Sequence, residues 1–256
     1  MLKKSLFSCA PSCVAASLLV SIPCIAAAQT NDGPEKLDNQ WHGSMSLGAA
    51  AASGNTSSVT LSLAADATKA NAVDKLSLSG LVNYGQTDAS GTDTTTADQA
   101  WARGRYDYNL TPVWFVFGGA EGETNRVAGL KSRYGVNTGI GYKLIRNEIT
   151  SFDVFGGVGY SGVAYTDDTE ANGFELLLGE ESDHKLSDTT TLRQRFVYRP
   201  GQGDLGDLAT FNAGLATAIT GGWTLNLGFQ VQYASKVPVG VESTDTLFTA
   251  GFGYKF

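Results

Sequence analysis

Charged side chains at regular spacing are the residues of this chain most able to do chemistry. Arg103, Arg105 and Asp107 fall at every second position of one segment, and Arg193 and Arg195 do so in another. Arg133 and Lys143 share the parity of a third, while Glu121, Glu123, Glu175 and Glu181 supply acidic partners. Opposite charges facing one another across paired strands contribute only about 0.2–1 kcal/mol each. A ladder of internal ion pairs accounts for them, and the lining of a wet passage is the second account. The chain holds two histidines, His42 and His184, which leaves little for a metal site or a triad. His42-Gly43-Ser44 sets an imidazole and a hydroxyl on one side of a segment, the pairing by which a base activates serine. A lipid-hydrolysing serine must face lipid, whereas these two share the polar parity, so both read as lining residues. His184, beside Asp183 and Lys185, reads as interfacial. Gly157-Val158-Gly159-Tyr160-Ser161-Gly162 has the spacing of a dinucleotide loop, but such a loop must open a helix, and no helical pattern follows. No catalytic, cofactor-binding or metal-ligating residue is assigned.

Alternation with period two is what positions the charges. Trp223, Leu225, Leu227, Phe229, Val231 and Tyr233 oppose Thr224, Asn226, Gly228, Gln230 and Gln232. Phe248, Ala250, Phe252, Tyr254 and Phe256 alternate with Leu247, Thr249, Gly251, Gly253 and Lys255. Such patterning marks strands with one apolar face. It predicts about 12 of them, at 41–53, 58–70, 75–87, 97–109, 113–125, 131–145, 150–165, 173–186, 190–200, 207–219, 222–235 and 245–256. The connections alternate between tight turns and longer polar loops, the latter at 88–96, 126–130, 166–172, 200–206 and 235–244. None is long enough to be an obvious plug. An even strand count with short turns at one end describes an all-β, antiparallel up-and-down barrel of the outer membrane. Closure pairs every backbone group, as hydrocarbon demands. Charges on the outer face would cost about 2–4 kcal/mol each at the midplane for Arg or Lys, so they belong in the lumen. Trp41, Tyr108, Trp114, Tyr142, Trp223 and Tyr254 are expected at the interfaces. Phe115 and Phe117 share parity with Glu121 and Glu123, which predicts a β-bulge at Gly118-Gly119 that would turn the two phenylalanines outward.

The first 28 residues read as a cleaved signal. Lys3 and Lys4 precede an apolar stretch, and Ala26-Ala27-Ala28 places cleavage between Ala28 and Gln29. Pro23 before Cys24 disfavours a lipoprotein. Residues 29–40 are expected as a short periplasmic segment and 41–256 as the barrel. All three cysteines lie in the signal, so the exported chain has no disulfide framework. Loss of Lys3 and Lys4 leaves 16 basic residues against 25 acidic ones, a net charge of −9. That balance argues against nucleic acid as a partner. The 31 glycines exceed a typical usage of about 7%, which suits strands crowded around a lumen.

The terminal Phe252, Tyr254 and Phe256 resemble the C-terminal signal of outer-membrane barrels. That resemblance implies periplasmic chaperones and the barrel-assembly machinery as partners during biogenesis, and outer-membrane lipid and lipopolysaccharide thereafter. A wider resemblance runs over 41–256. Gly54-Asn55-Thr56, Arg105-Tyr106-Asp107 before Leu110-Thr111-Pro112, Arg133, Gly139-Ile140-Gly141-Tyr142, Gly173-Phe174-Glu175 and Tyr254-Lys255-Phe256 carry it. Together they resemble the salt-induced outer-membrane protein family, whose function is not established. The resemblance implies a barrel in the outer membrane and no cofactor or activity.

Two functional classes follow. One is a passive pore for small solutes or ions, since 12 strands fall between filled eight-stranded barrels and open 16-stranded porins. Asp88, Asp93, Asp167, Asp168, Glu170, Asp204, Glu242 and Asp245 on the long-loop side, offset in part by Arg126, Arg199 and Lys236, would give it a weak cation preference. The other is a structural or stress-related envelope protein with a closed lumen. A lipid-modifying enzyme is a distant third.

Overall fold

In the computed structural model, which describes residues 36–52, 56–89 and 92–256, twelve strands close into one antiparallel barrel. They are β1 (Trp41–Ala52), β2 (Thr56–Ala70), β3 (Asp74–Ala89), β4 (Thr92–Asn109), β5 (Trp114–Asn125) and β6 (Leu130–Arg146). β7 (Thr150–Tyr165), β8 (Glu170–Lys185), β9 (Thr190–Arg199), β10 (Leu208–Thr220), β11 (Trp223–Ala234) and β12 (Thr244–Lys255) complete it. Each strand pairs with its sequence neighbours. β12 returns to β1 through Ser44–Lys255 to Leu47–Phe252, and the Gly43 and Phe256 backbones exchange two further hydrogen bonds of 3.1 and 3.0 Å. The signal peptide with Ala28 and Gln29, together with Gly54 and Asn55, lies outside the described residues.

Four tight turns repeat one local device. The Asn71 side-chain oxygen accepts the Val73 and Asp74 amides, and Asn147 does the same for Ile149 and Thr150. Hydroxyls of Thr111 and Ser187 accept the equivalent amides in their turns. Short polar side chains that satisfy turn amides replace the ladder bonds a strand would have supplied. The fifth turn uses Gly221 and Gly222, both at positive φ. These five turns and both ends of the barrel segment lie at one rim, called here the tight-turn end.

The opposite rim differs from the sequence reading. Residues 88 and 89 extend β3 and residues 92 to 96 extend β4, so the expected 88–96 loop is mostly ladder. The run of Thr94, Thr95 and Thr96 is β-branched, a residue type that favours extended pairing. The 200–207 connection winds into a 3-10 turn at Gly203–Leu205, and Leu205 packs onto the inward Leu130 and Val163. The 235–243 loop leans across the mouth: the Tyr165 hydroxyl donates to the Lys236 carbonyl at 3.0 Å. Space for a side chain at Gly129 is taken by Pro238 and Val241. Loops that read as too short to plug the barrel thus pack inward onto the strand ends and the Gly129 turn at this rim.

Apolar side chains stand on the outer face, where Met45, Leu47, Leu61, Val82, Tyr134, Val136, Phe174 and Phe252 are exposed. Trp41, Tyr108, Trp114, Trp223 and Tyr254 form an exposed aromatic band near the tight-turn end. Trp114 meets Tyr142 at 4.8 Å and Trp223 meets Tyr254 at 5.7 Å between ring centres. His184, outward at the same rim, shares a hydrogen bond with the Thr150 hydroxyl.

No bulge interrupts β5 at Gly118-Gly119. Its register runs unbroken through both glycines against β4 and β6, so Phe115 and Phe117 point into the lumen, only 1% and 4% exposed. The reason is on the neighbouring strands. Phe115 pairs with Gly141, Phe117 with Gly139, and Phe155 with both Gly141 and Gly179. Each ring lies over a glycine that leaves it room, an arrangement that lets aromatics face inward without widening the barrel.

Candidate functional site

The lumen is built in layers. Closest to the long-loop rim is an ion-paired layer contributed by β4, β5, β6, β8 and β9. Arg199 forks onto both oxygens of Glu121 across the lumen, and Arg103 reaches Glu121 at 3.4 Å. Arg133 and Arg199 approach Glu175 at 3.6 and 3.9 Å, and Ser161 donates to Glu175 at 2.9 Å. Gln232 of β11 donates to Glu123 of β5 at 3.4 Å, a contact between opposite walls. Arg199, which the sequence groups with the exposed loop charges, is instead the last residue of β9, directed inward and buried. Bidentate guanidinium–carboxylate pairs are among the stronger polar contacts, and here they tie strands that are not neighbours.

An apolar layer follows. Phe115, Phe117, Phe155, Leu177 and Val197 form one buried cluster inside the barrel. Arg105 lies on its lower surface, with its guanidinium 4.4 Å from the Phe117 ring centre and 4.6 Å from that of Phe155. Ring faces attract a cation most where water is excluded. The same guanidinium meets Asp107 at 2.6 Å and Glu181, on β8, at 3.3 Å. Lys143 donates to Asn109 at 2.8 Å beside this layer.

Beneath it, towards the tight-turn end, is a chamber of about 270 Å³. Lys36, Lys75, Arg103, Arg105, Arg146, Arg193 and Arg195 line it together with Asp66, Asp107, Asp153, Glu181 and Asp183. Glu181 is shared by Arg105, Lys75 at 3.7 Å and Arg195 at 3.5 Å, and Lys75 also reaches Asp107 at 3.5 Å. Arg193 pairs with Asp183, and Arg146 with Asp153 at 2.7 Å. His42 and Arg146 mark the rim, where Asp38 accepts from the Gln40 amide and pairs with His42. Those two contacts hold the Asp38 carboxyl below its ordinary pKa.

The structure places every charge assigned to the lumen from the sequence on an inward position, but those charges are only part of the ion-paired lining. Lys75, Asp153, Asp183 and Arg146 belong to it as well; the first three share their strand's inward parity, and Arg146, at the even parity of β6, lies beyond the register shift between Lys143 and Ile145. The phenylalanines lie on the face opposite to the one expected. His42 and Ser44 do not assemble as a base and nucleophile: the imidazole engages Asp38, and Ser44 donates to Asp66 at 2.9 Å. The Gly157–Gly162 run is part of β7 with no helix after it, its odd-numbered members facing the lumen.

Residues 45–256 match a family model described as a protein of unknown function, DUF481. The chain belongs to the DUF481 family. No curated protein matches it. Among solved structures, this DUF481 chain is similar to an outer membrane channel from Pseudomonas putida F1. That likeness covers 89% of this chain and 99% of that one, at 10% identity and a TM-score of 0.49. The NanC porin gives 11% identity, 83% and 100% coverage and a TM-score of 0.46. The translocator domain of the autotransporter NalP from Neisseria meningitidis gives 11%, 86% and 91%, and 0.43. At these identities the likeness is one of fold alone.

Proposed function

We propose that this protein is an outer-membrane barrel whose resting lumen is closed, serving the envelope as a structural or stress-related element rather than as an open diffusion pore. The exposed apolar wall with its aromatic band needs hydrocarbon around it, and the tight-turn end then faces the periplasm. One observation carries the closure. Arg105 reaches from β4 to Glu181 on β8 while lying on the phenylalanine cluster, and Arg199 reaches from β9 to Glu121 on β5 one layer above. Side chains thus bridge the lumen at two levels.

A second reading has its own support. The inward faces of β10, β11, β12, β1 and β2 carry mainly small or uncharged residues, such as Thr210, Ala216, Gly228, Thr249, Gly251 and Ser46. If the bridged half moved, a narrow path would run along that smooth wall. The acidic loops would enrich cations at its outer mouth, an effect confined to about 8 Å at physiological salt.

Planar-bilayer recording of the purified protein separates the two. The closed reading expects no steady ohmic current at low voltage. Regular, long-lived current steps from the wild-type chain under those conditions overturn it, and their reversal potential across a salt gradient then gives the ion preference. Salt induction, which rests on the residue resemblance alone, is tested by protein abundance after a salt upshift.

A further inference from the structure

We propose that the chamber below the phenylalanine layer is a binding site for a small, multiply charged oxyanion bearing carboxylate or phosphate groups, entering from the tight-turn end. The charge balance comes first. Among the described residues, seven cationic side chains line the chamber against five carboxylates, inside a chain whose formal net charge is −7. The surplus is concentrated at one place. Lys75, Arg105 and Arg195 converge on two carboxylates, Asp107 and Glu181. Glu181 alone is asked to serve all three cations, at 3.3 to 3.7 Å.

Donors are also left over. Arg105 Nη2 and Trp101 Nε1 are buried on this wall without a hydrogen-bond partner, although such groups normally find one. The planar guanidinium fork is matched to the paired oxygens of a carboxylate or phosphate. Arg103 lies 4.6 Å over the Trp101 ring, so one side of the chamber is a flat cationic face. A volume of about 270 Å³ is at the small end of ligand sites, which excludes a polymer and suits a compact anion. The carboxylate of Glu181 occupies the place where three cations meet, as a built-in competitor. An incoming oxyanion takes up the spare donors and shares those cations with it. This reading does not depend on whether the barrel conducts.

The test uses the full barrel folded in non-ionic detergent, titrated with sodium citrate and with inorganic phosphate against sodium chloride at matched ionic strength. Calorimetric heat and tryptophan fluorescence are both followed, because Trp101 is the tryptophan on the chamber wall while Trp41, Trp114 and Trp223 are exposed on the outer face. Saturable binding of at least one probe is expected. Arg195→Gln is expected to weaken it about tenfold, the scale of one charge-assisted hydrogen bond. Glu181→Gln is expected to tighten it, since the competitor loses its charge, and Arg126→Gln at the exposed rim to leave it unchanged. Absence of saturable binding by either probe overturns the proposal, as does Arg195→Gln binding like wild type. Folding of each variant is checked by heat-modifiable gel migration. If Arg195→Gln does not fold, Glu181→Gln decides: unchanged or weaker binding overturns the site. The readout needs no transmembrane current, so failure here and failure of the closed-lumen reading are separate results.

Discussion

Arg105→Ala is expected to lower unfolding stability by about 3 kcal/mol, the low end of the cost of breaking a buried ion pair. The low end applies because both carboxylates keep partners: Asp107 retains Lys75, and Glu181 retains Lys75 and Arg195. What they lose is the guanidinium that joins them, and the layer above loses its cation on Phe117 and Phe155. Urea unfolding in lipid vesicles, followed by tryptophan fluorescence, measures the change. Arg105→Lys is expected to recover only part of it, since an ammonium keeps the charge but cannot fork onto two carboxylates. The single variant is still expected to carry no steady current, because Arg199 and Glu121 bridge the lumen independently. Arg105→Ala combined with Arg199→Ala removes both arginine bridges and leaves the longer Lys75–Glu181 and Gln232–Glu123 contacts across the lumen, and bilayer recording is expected to show current steps that neither single variant gives. A double variant that folds and stays silent would mean that the phenylalanine layer, the loops and the remaining Lys75 and Gln232 contacts suffice to close the barrel.

Strand number, pairing order and the inward face of most strands are legible in the sequence because one period governs the whole chain. An apolar wall and a lumen impose alternation on each strand separately, so the signal is local and repeats twelve times. What fills the lumen is a relation between strands, and a single segment does not show it. Phe115 and Phe117 illustrate this. Within β5 alone, a bulge is the simplest way to reconcile two aromatics with two glutamates at the same parity. The information that they face inward sits on β6, at Gly139 and Gly141, and becomes readable only once the register pairs those glycines with the rings. Arg199 is hidden for a different reason. It sits at the long-loop end of the expected 190–200 strand and so counts with the rim charges, yet it shares the odd parity of Arg193 and Arg195 that turns it inward. The inward lean of the loops is invisible in the sequence because the packing of Leu205 and Pro238 is set by side chains met at that rim, not by loop length.

Gly139→Ala is expected to be among the most damaging single-methyl changes in the barrel, and Gly118→Ala close to neutral. Gly139 lies inward on β6 opposite Gly157 of β7, and a Cβ there would meet the Gly156 carbonyl oxygen, the Gly157 Cα and the Phe117 ring. A flexible side-chain tip could rotate away from a new methyl, but two of these three obstacles are backbone. Relief therefore requires β6 and β7 to separate where both are held by continuous pairing. Overpacking of an interior costs roughly 1–3 kcal/mol when side chains can adjust, and this site lacks that freedom, so the loss should reach or exceed about 3 kcal/mol. Moving Phe117 would also disturb the ring on which Arg105 lies. Gly118 shares the outward parity of Trp114 and Ala120 on β5, and nothing lies within 4 Å of a Cβ added there. Its methyl would enter hydrocarbon, and the change should stay within about 0.5 kcal/mol. Heat-modifiable migration and urea midpoints compare the two variants directly. Equal behaviour would show that the glycines serve strand flexibility in general; a barrel lost only with Gly139→Ala would assign them to the close approach that lets the phenylalanines fill the lumen.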